Sequence, residues 1–145
     1  MLRRAIFAYA LCLLAVPFFS GCGTSPQTGA AGRQAKKYVI GMSQCNLGEP
    51  WRVQMNKDIE AAAAKHPELQ VIFKDAQNNE LMQRAHVEEF VSQGVDLIII
   101  SPKEAAPLTE PVARAVEAGV PVIVLDRAVL GDKYTCFIGA DNRKI

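Results

Sequence analysis

The stretch "VDLIIISPKEAAPLTEPVARAVEAGVPVIVLDR", residues 95–127, contains two apolar runs separated by a segment with helical character. The runs "VDLIII" and "VPVIVL" are apolar at nearly every position, which is typical of parallel strands covered by helices on both faces. Between them, Pro111 is expected to open the helix "PVARAVEA", and Gly119 is expected to end it. One face of this segment is apolar: Leu108, Val112, Ala115 and Val116. The stretch therefore predicts a strand–helix–strand unit of a parallel sheet.

The same unit recurs towards the N-terminus. Strand candidates begin at Tyr38, Leu69, Val95 and Val120, and intervals of about 25–30 residues suit βαβ units and are too long for hairpins. A fifth candidate, "YTCFIG", follows near the end of the sequence. We predict an α/β fold, a doubly wound open parallel sheet of the Rossmann-like type, in residues 38–145.

Two further helices are predicted between these strands. The first opens at Pro50 and contains "IEAAAAK", and Pro67 is expected to stop it just after His66. The second is "ELMQRAHVEEFVSQ", capped by Asn78 or Asn79 and ended by Gly94. The apolar positions of this second helix do not keep to one stripe.

The first 22 residues are different in kind. Two arginines precede an apolar run, 5–19, and the segment ends in Ser20-Gly21-Cys22. The run is shorter than the roughly 20 residues of a bilayer span, and its flanks are those of a secretory signal. "FSGC" also resembles a bacterial lipoprotein signal. We predict a signal peptide in residues 1–21, lipidation of Cys22 and a flexible tether in residues 22–37, with an uncleaved membrane anchor as the alternative.

Composition and motifs exclude several classes of function. The 145 residues carry 16 Lys and Arg against 15 Asp and Glu, and no basic cluster marks a nucleic-acid partner. Neither G-x-G-x-x-G nor a Walker A pattern occurs, which speaks against a nucleotide cofactor. The four cysteines and two histidines lack zinc spacing, so we expect no metal. Cys45 and Cys136 form no disulfide framework, and their redox state stays open.

Catalysis is also not expected. "GMSQC", residues 41–45, is a near miss for the G-x-S-x-G nucleophile elbow, but Cys45 stands where the second glycine is needed. His66 and His86 are the two possible bases, and both fall within or at the end of predicted helices. We therefore predict a protein that is not an enzyme.

Polar side chains follow each of the five strand candidates. Ligands of open α/β sheets bind outside the carboxyl ends of the strands. The segments found there are 45–52, 75–79, 101–103, 126–127 and 141–142. Trp51 would offer an aromatic plate to the C–H face of a monosaccharide, and Arg52, Asp126 and Arg127 would bond its hydroxyls. The simpler interpretations are a core tryptophan, a solvated turn at residues 126–127, and helix caps at residues 75–79 and at Asp141.

Five segments in this order carry a family resemblance: "YVIGMSQCNLGEPWR", "DAQNN", "QGVDLIIISP", "AGVPVIVLDR" and "FIGADN". They resemble the first lobe of sugar-binding proteins of bacterial ABC importers, the type 1 periplasmic binding proteins, in the ribose- and galactofuranose-binding group. The resemblance runs from about Lys37 to Ile145. It implies sugar contacts from Glu49, Trp51, Arg52, Asp126 and Arg127. Asp141, which follows the fifth strand candidate, is a further candidate contact from its place at the strand end. Ribose-type members carry a second aromatic residue at the position of Arg52, which looks more like the galactofuranose-binding kind.

The resemblance also implies partners and a limit. The ligand would be a monosaccharide, delivered outside the cytoplasmic membrane to an ABC permease in the membrane. The family closes two lobes on its sugar, whereas this sequence stops before the second lobe, so we expect half a site with weak or undetectable binding. Three alternatives stay open: a sugar-sensing partner of a membrane receptor or kinase, a truncated fragment that does not bind, and a sugar acid as ligand. A LacI-type repressor would begin with a helix-turn-helix, not an export signal.

Overall fold

The computed structural model describes residues 36–140. Its elements are β1 (Tyr38–Gln44), α1 (Pro50–Ala63), β2 (Leu69–Asp75), α2 (Glu80–Gln93), β3 (Leu97–Ser101), α3 (Ala105–Glu117), β4 (Val122–Leu125) and β5 (Cys136–Ile138). All strand pairs are parallel, in the order β2-β1-β3-β4-β5. The predicted doubly wound open sheet is confirmed. The predicted signal peptide, Cys22, residues 22–35 of the tether and Asp141 lie outside the described residues.

The strand order determines which face each helix covers. The chain moves from β1 to β2 in one direction and then back across β1 to β3 and β4. Because such crossovers are right-handed, α1 lies on one face of the sheet and α2 and α3 lie on the other. Because all the strand pairs are parallel, the five carboxyl ends lie at one edge, where the loops that follow the strands gather.

The main core lies between the sheet and helices α2 and α3. Its members are Val87, Phe90, Val95, Ile98, Ile100, Leu108, Val112, Ala115, Val120, Val122, Val124 and Val129. Helices lie on both faces of the sheet as predicted, but the two faces of β3 and β4 are buried to different extents. Ile99 and Ile123 on the α1 face are only partly buried, and Ile138 of the edge strand β5 is 58% exposed. Among the described helices only α1 covers that face, and it packs towards β2.

The structure explains why the apolar residues of α2 do not keep to one stripe in the sequence. Its buried residues are Gln83, His86, Val87 and Phe90, which form one regular stripe with two polar members. Asn79 caps the helix through Oδ1, which accepts from the backbone N–H groups of the second and third helical residues. Asn79 was one of the two caps predicted, and the stop at Gly94, with φ of 67°, is confirmed.

Three predicted element boundaries were wrong, and each of them lies at the C-terminal end of a helix. Val95 and Val120 belong to helix termini and not to strands, since their N–H groups bond the carbonyls of Phe90 and Ala115. An apolar residue after a left-handed glycine is the Schellman arrangement. Helix α1 ends at Ala63 and not beside His66, because the N–H groups of residues 65 and 66 bond three residues back and tighten the last turn.

The predicted start of α3, at Pro111, was also wrong. The helix begins at Ala105, and Pro111 lies inside it. Pro107 falls in the first turn, where no N–H is needed, and Pro111 forgoes one hydrogen bond to the carbonyl four residues earlier. Its ring is buried on the apolar stripe between Leu108 and Val112, which offsets that loss.

Candidate functional site

The loop after β1 brings three predicted site residues into the first turn of α1. Glu49 is the residue before the helix, and Pro50 occupies the first helical position. Trp51 follows and is 45% exposed, whereas the side chain of Arg52 is only 8% exposed. Adjacent residues of a helix point in different directions, so one faces solvent while the other turns in towards the strand ends.

The Arg52 guanidinium is at the centre of a hydrogen-bond cluster. Its Nη1 donates to Gln44 Oε1 at 3.1 Å and to Ser101 Oγ at 2.9 Å. Its Nε donates to Glu49 Oε2 at 3.0 Å. The guanidinium carbon lies 4.0 Å from the centroid of the Trp51 ring, a cation–π distance. The Arg52 side chain therefore packs against the indole ring from inside the protein and does not extend into solvent at the rim of the site.

Asp126 joins the same cluster from β4. Its Oδ2 lies 3.6 Å from Arg52 Nη2, and its side chain is 40% exposed. The residue has φ of 65°, unusual for a residue with a Cβ, and its N–H donates to Ile138 O at 2.8 Å. The bond to β5 holds a strained backbone, which is a common feature of binding sites.

Arg127 takes a different direction. Its Nη1 donates to the carbonyl of Lys103, and it lies 3.8 Å from Glu104 Oε1. It therefore stands at the carboxyl edge but is bonded to the loop between β3 and α3. The structure brings Glu49, Trp51, Arg52 and Asp126 together, sets Arg127 beside them, and does not describe Asp141.

The sequence pattern did not identify Gln44 as a site residue, and it gave Ser101 no role beyond its place at the end of a strand. They are the last residues of β1 and β3, they are aligned in register, and both are completely buried. Gln44 also accepts from the N–H of Cys45 and donates to Asn56 Oδ1. A polar residue that closes an apolar strand was the available signal, because such a side chain needs a partner at the strand end.

A polar groove continues along the edge towards β2. It is lined by Asn46, Leu47, Gly48, Glu49, Asp75, Gln77 and Asn78. Gln77 and Asn78 both have positive φ, and the turn is closed by a bond from the Gln77 N–H to Asp75 Oδ1. The "DAQNN" segment thus caps α2 and also lines the rim.

Cys45 lies next to the cluster, but its thiol is unreactive. Burial raises the pKa of its thiol above the ordinary value, although the nearby Arg52 acts in the opposite direction. The thiol is therefore protonated at neutral pH and a weak nucleophile.

A serine–histidine pair lies on the other side of the sheet. Ser43 Oγ is 3.1 Å from His86 Nδ1. Ser43 is completely buried in the layer between the sheet and α2, so a substrate has no access to its hydroxyl. Next to this pair, the Gln83 amide donates to the carbonyls of Ser43 and Ser101 and accepts from the N–H of Lys103. The pair joins a helix to strand ends and has the geometry of packing, not of catalysis.

The burial of His86 predicts that the free energy of unfolding depends on pH. Burial, followed by the nearby charge of Lys74, lowers its pKa below the ordinary value of 6.5. The folded state keeps the imidazole neutral, so its contribution is complete above that value and is lost as the pH falls towards the folded pKa. We expect the free energy of unfolding to fall as the pH is lowered through about 6.5, from neutral to mildly acidic values.

Urea titrations across this pH range measure the effect. The His86→Gln chain should lose most of the slope, whereas His66→Gln, at an exposed position, should retain it. Equal slopes in the two variants would contradict the assignment to His86.

The described part of the chain contains neither a membrane-spanning helix nor a metal-binding group. None of the three helices between residues 36 and 140 combines the length and apolar character that crossing a bilayer requires. Over the same range, no three acidic, histidine or cysteine side chains gather as a metal-binding group.

Comparison with known proteins identifies relatives of this fold. The pattern of the periplasmic binding protein domain matches residues 40–145. The ribose import binding protein of Bacillus subtilis is 36% identical over 109 residues, which are 75% of this chain and 35% of that protein. The chain thus spans about a third of the length of this relative.

Two solved structures are similar as well. The fructose-binding periplasmic domain of a hybrid two-component system has a TM-score of 0.71 and 42% identity, over 74% of this chain and 35% of its own. An ABC transporter solute-binding protein from Bacillus halodurans with bound myo-inositol has a TM-score of 0.70 and 34% identity, over 75% and 38%. The chain therefore belongs to the periplasmic binding protein family, and its described residues have the fold of the N-terminal lobe of that family's sugar-binding members.

Proposed function

We propose that this chain belongs to the substrate-binding component of an ABC transporter, which binds a monosaccharide outside the cytoplasmic membrane and delivers it to a permease. The observation that carries the proposal is the Trp51 indole. Arg52 lies against it, a large part of the ring remains exposed, and the partly exposed Asp126 carboxylate is joined to the same guanidinium. An apolar plate beside a fixed hydrogen-bond acceptor suits a sugar, which has C–H faces and hydroxyl rims.

Each proposed contact has its own role. The indole packs on the ring face of the sugar, and Asp126 accepts from hydroxyl groups. Glu49 and Arg127 bond further hydroxyls from either end of the cluster, while Arg52 supplies the base of the plate. Asp141 is proposed as a contact from beyond β5.

The charges of the site favour a neutral sugar over a sugar acid. The Arg52 guanidinium has two carboxylates nearby, those of Glu49 and Asp126. Arg127 is beside Glu104 and bonded to a carbonyl. A ligand carboxylate would therefore meet acceptors at the positions where it needs donors.

Export and anchoring complete the proposal. The signal peptide in residues 1–21 would take the chain out of the cytoplasm, and lipidated Cys22 would hold it to the membrane through the tether. Binding and lobe closure are the mechanism, with no chemical step and no cofactor. The relatives are binding proteins by name, one a ribose import binding protein and the other an ABC transporter solute-binding protein.

Sensing is the second candidate. The fructose-binding relative is the periplasmic domain of a hybrid two-component system, and it shares 42% identity with this chain. In that case the sugar-bound state would be transmitted to a membrane receptor or kinase in place of a permease. Both candidates require the same sugar site.

The isolated chain should bind weakly. Good small-molecule sites bury about 70–90% of their ligand, and one edge of a single lobe covers one face of a sugar. We expect dissociation constants of about a millimolar or weaker, a range in which saturation-transfer NMR still detects binding.

The test is saturation transfer from the chain to D-ribose, D-fructose and myo-inositol, with D-glucuronate as the anionic comparison. Trp51→Ala should abolish the transfer, because the ring face loses its plate. Tyr38→Ala removes an equally exposed aromatic ring from the far end of β1 and should leave transfer intact. Transfer that survives Trp51→Ala, or that is strongest for glucuronate, would contradict the proposal.

A further inference from the structure

Arg52 has little freedom to serve a ligand by itself. A guanidinium has five N–H donors. One is given to Glu49 and two to Gln44 and Ser101, and Nη2 lies beside Asp126. At most one or two N–H groups remain for a sugar. Its main effect in the site is therefore to fix what lies around it: the indole on one side and the Asp126 carboxylate on the other.

The groups that fix Arg52 are themselves rigid. Gln44 and Ser101 end two central strands, face each other in the register of β1 and β3, and are completely buried. Gln44 Oε1 is oriented by the N–H of Cys45, and its Nε2 by Asn56. The carbonyl of Ser101 is held by the Gln83 amide at 2.8 Å. Gln44 Oε1 is therefore held by the bonds of its own side chain, and Ser101 Oγ starts from a fixed backbone position in a completely buried site.

From this arrangement we infer that Gln44 and Ser101 are positioning residues of the sugar site. They act through Arg52, which they hold at one height beneath Trp51 and at one distance from Asp126. This inference rests on the proposed function for the ligand, but the positioning itself is a property of the chain without ligand. A plate fixed before binding costs less ordering when the sugar arrives.

The chain carries its own probe for this arrangement. Trp51 is the single tryptophan of the sequence, so the whole indole emission reports the surroundings of one ring. The reference variant is Arg52→Met, which removes the stacked cation. Ser101→Ala deletes one acceptor of Arg52 Nη1, and Gln44→Met deletes the other acceptor of the same nitrogen.

Ser43→Ala is the matched control. Ser43 is as buried as Ser101 and is the second-last residue of β1, but its hydroxyl bonds His86 on the other side of the sheet. Both serine variants lose one buried hydroxyl bond, so urea titration should give them similar losses of stability. A purely structural role would therefore affect both alike.

We expect the indole emission and the sugar affinity to distinguish Ser101→Ala from Ser43→Ala. Emission of Ser101→Ala and Gln44→Met moves towards that of Arg52→Met, while Ser43→Ala keeps the emission of the unsubstituted chain. Saturation-transfer titration with D-ribose, D-fructose and myo-inositol gives an affinity about fivefold lower for Ser101→Ala and unchanged for Ser43→Ala. If Gln44→Met fails to fold, Ser101→Ala alone decides.

Two results would overturn the inference: a Ser101→Ala emission equal to that of the unsubstituted chain, or a changed emission with undiminished sugar affinity. A different result would sink only the proposed function. If no sugar receives saturation from the unsubstituted chain while the emission shifts as expected, the two residues still position Arg52, but not for these sugars.

Discussion

Replacing Phe90 by alanine is expected to lower the free energy of unfolding by about 3–5 kcal/mol, the range of buried aromatic truncations. Phe90 is completely buried in the layer between the sheet and α2. Its ring packs directly on the backbone of β1 at Gly41, where no side chain would fill the space left behind. Urea unfolding monitored by circular dichroism measures the loss.

Phe137→Ala is the comparison for this variant. Phe137 lies on edge strand β5 and is 37% exposed, so its truncation should cost well under half as much. Similar losses for the two variants would contradict the central place of Phe90. If Phe90→Ala does not fold, Phe90→Leu should still fold with a smaller loss in the same direction.

A double-mutant cycle tests the contact itself. A Cβ at Gly41 would lie 2.5 Å from the nearest ring carbon of Phe90, so Gly41→Ala should cost about 1–3 kcal/mol through overpacking. In the Phe90→Ala background the clash is absent, and the same substitution should cost little or nothing. Additive losses would show that the two positions do not meet.

Arg52→Met is expected to lower the free energy of unfolding by about 2–4 kcal/mol, from charge-assisted hydrogen bonds inside the fold and the lost indole contact. Met fills much of the volume of the Arg stem but has no N–H group to donate to the acceptors that Arg52 bonds. Ser101 Oγ loses the donor that it has in the folded chain, and Gln44 Oε1 keeps only the N–H of Cys45.

Arg114→Met separates burial from the number of ion pairs. Arg114 pairs with Glu88 and Glu110, but its side chain is 43% exposed, and surface pairs contribute about 0–1 kcal/mol. The Arg114 variant should therefore be nearly as stable as the unsubstituted chain. Equal and small losses for both variants would mean that the Arg52 cluster contributes no more than a surface ion pair.

Several features of the fold were predictable because they depend on local chemistry. Apolar runs at βαβ spacing predicted the parallel sheet, and Asn79 and Gly94 predicted both ends of α2. The errors came from residues whose local signal served another element. Val95 and Val120 read as strand but complete helix termini, and Pro111 reads as a helix start but packs inside α3.

The candidate site shows the same division. The sequence by itself determined that indole, guanidinium and carboxylate follow parallel strands and so lie at one edge of the sheet, because the carboxyl ends of parallel strands share an edge. Only the tertiary structure decided that Arg52 turns inwards to Gln44 and Ser101, while Trp51 stays exposed and Arg127 bonds a neighbouring loop. The reason is that a side chain's direction depends on which buried acceptors lie within reach, and those acceptors come from strands far apart in sequence.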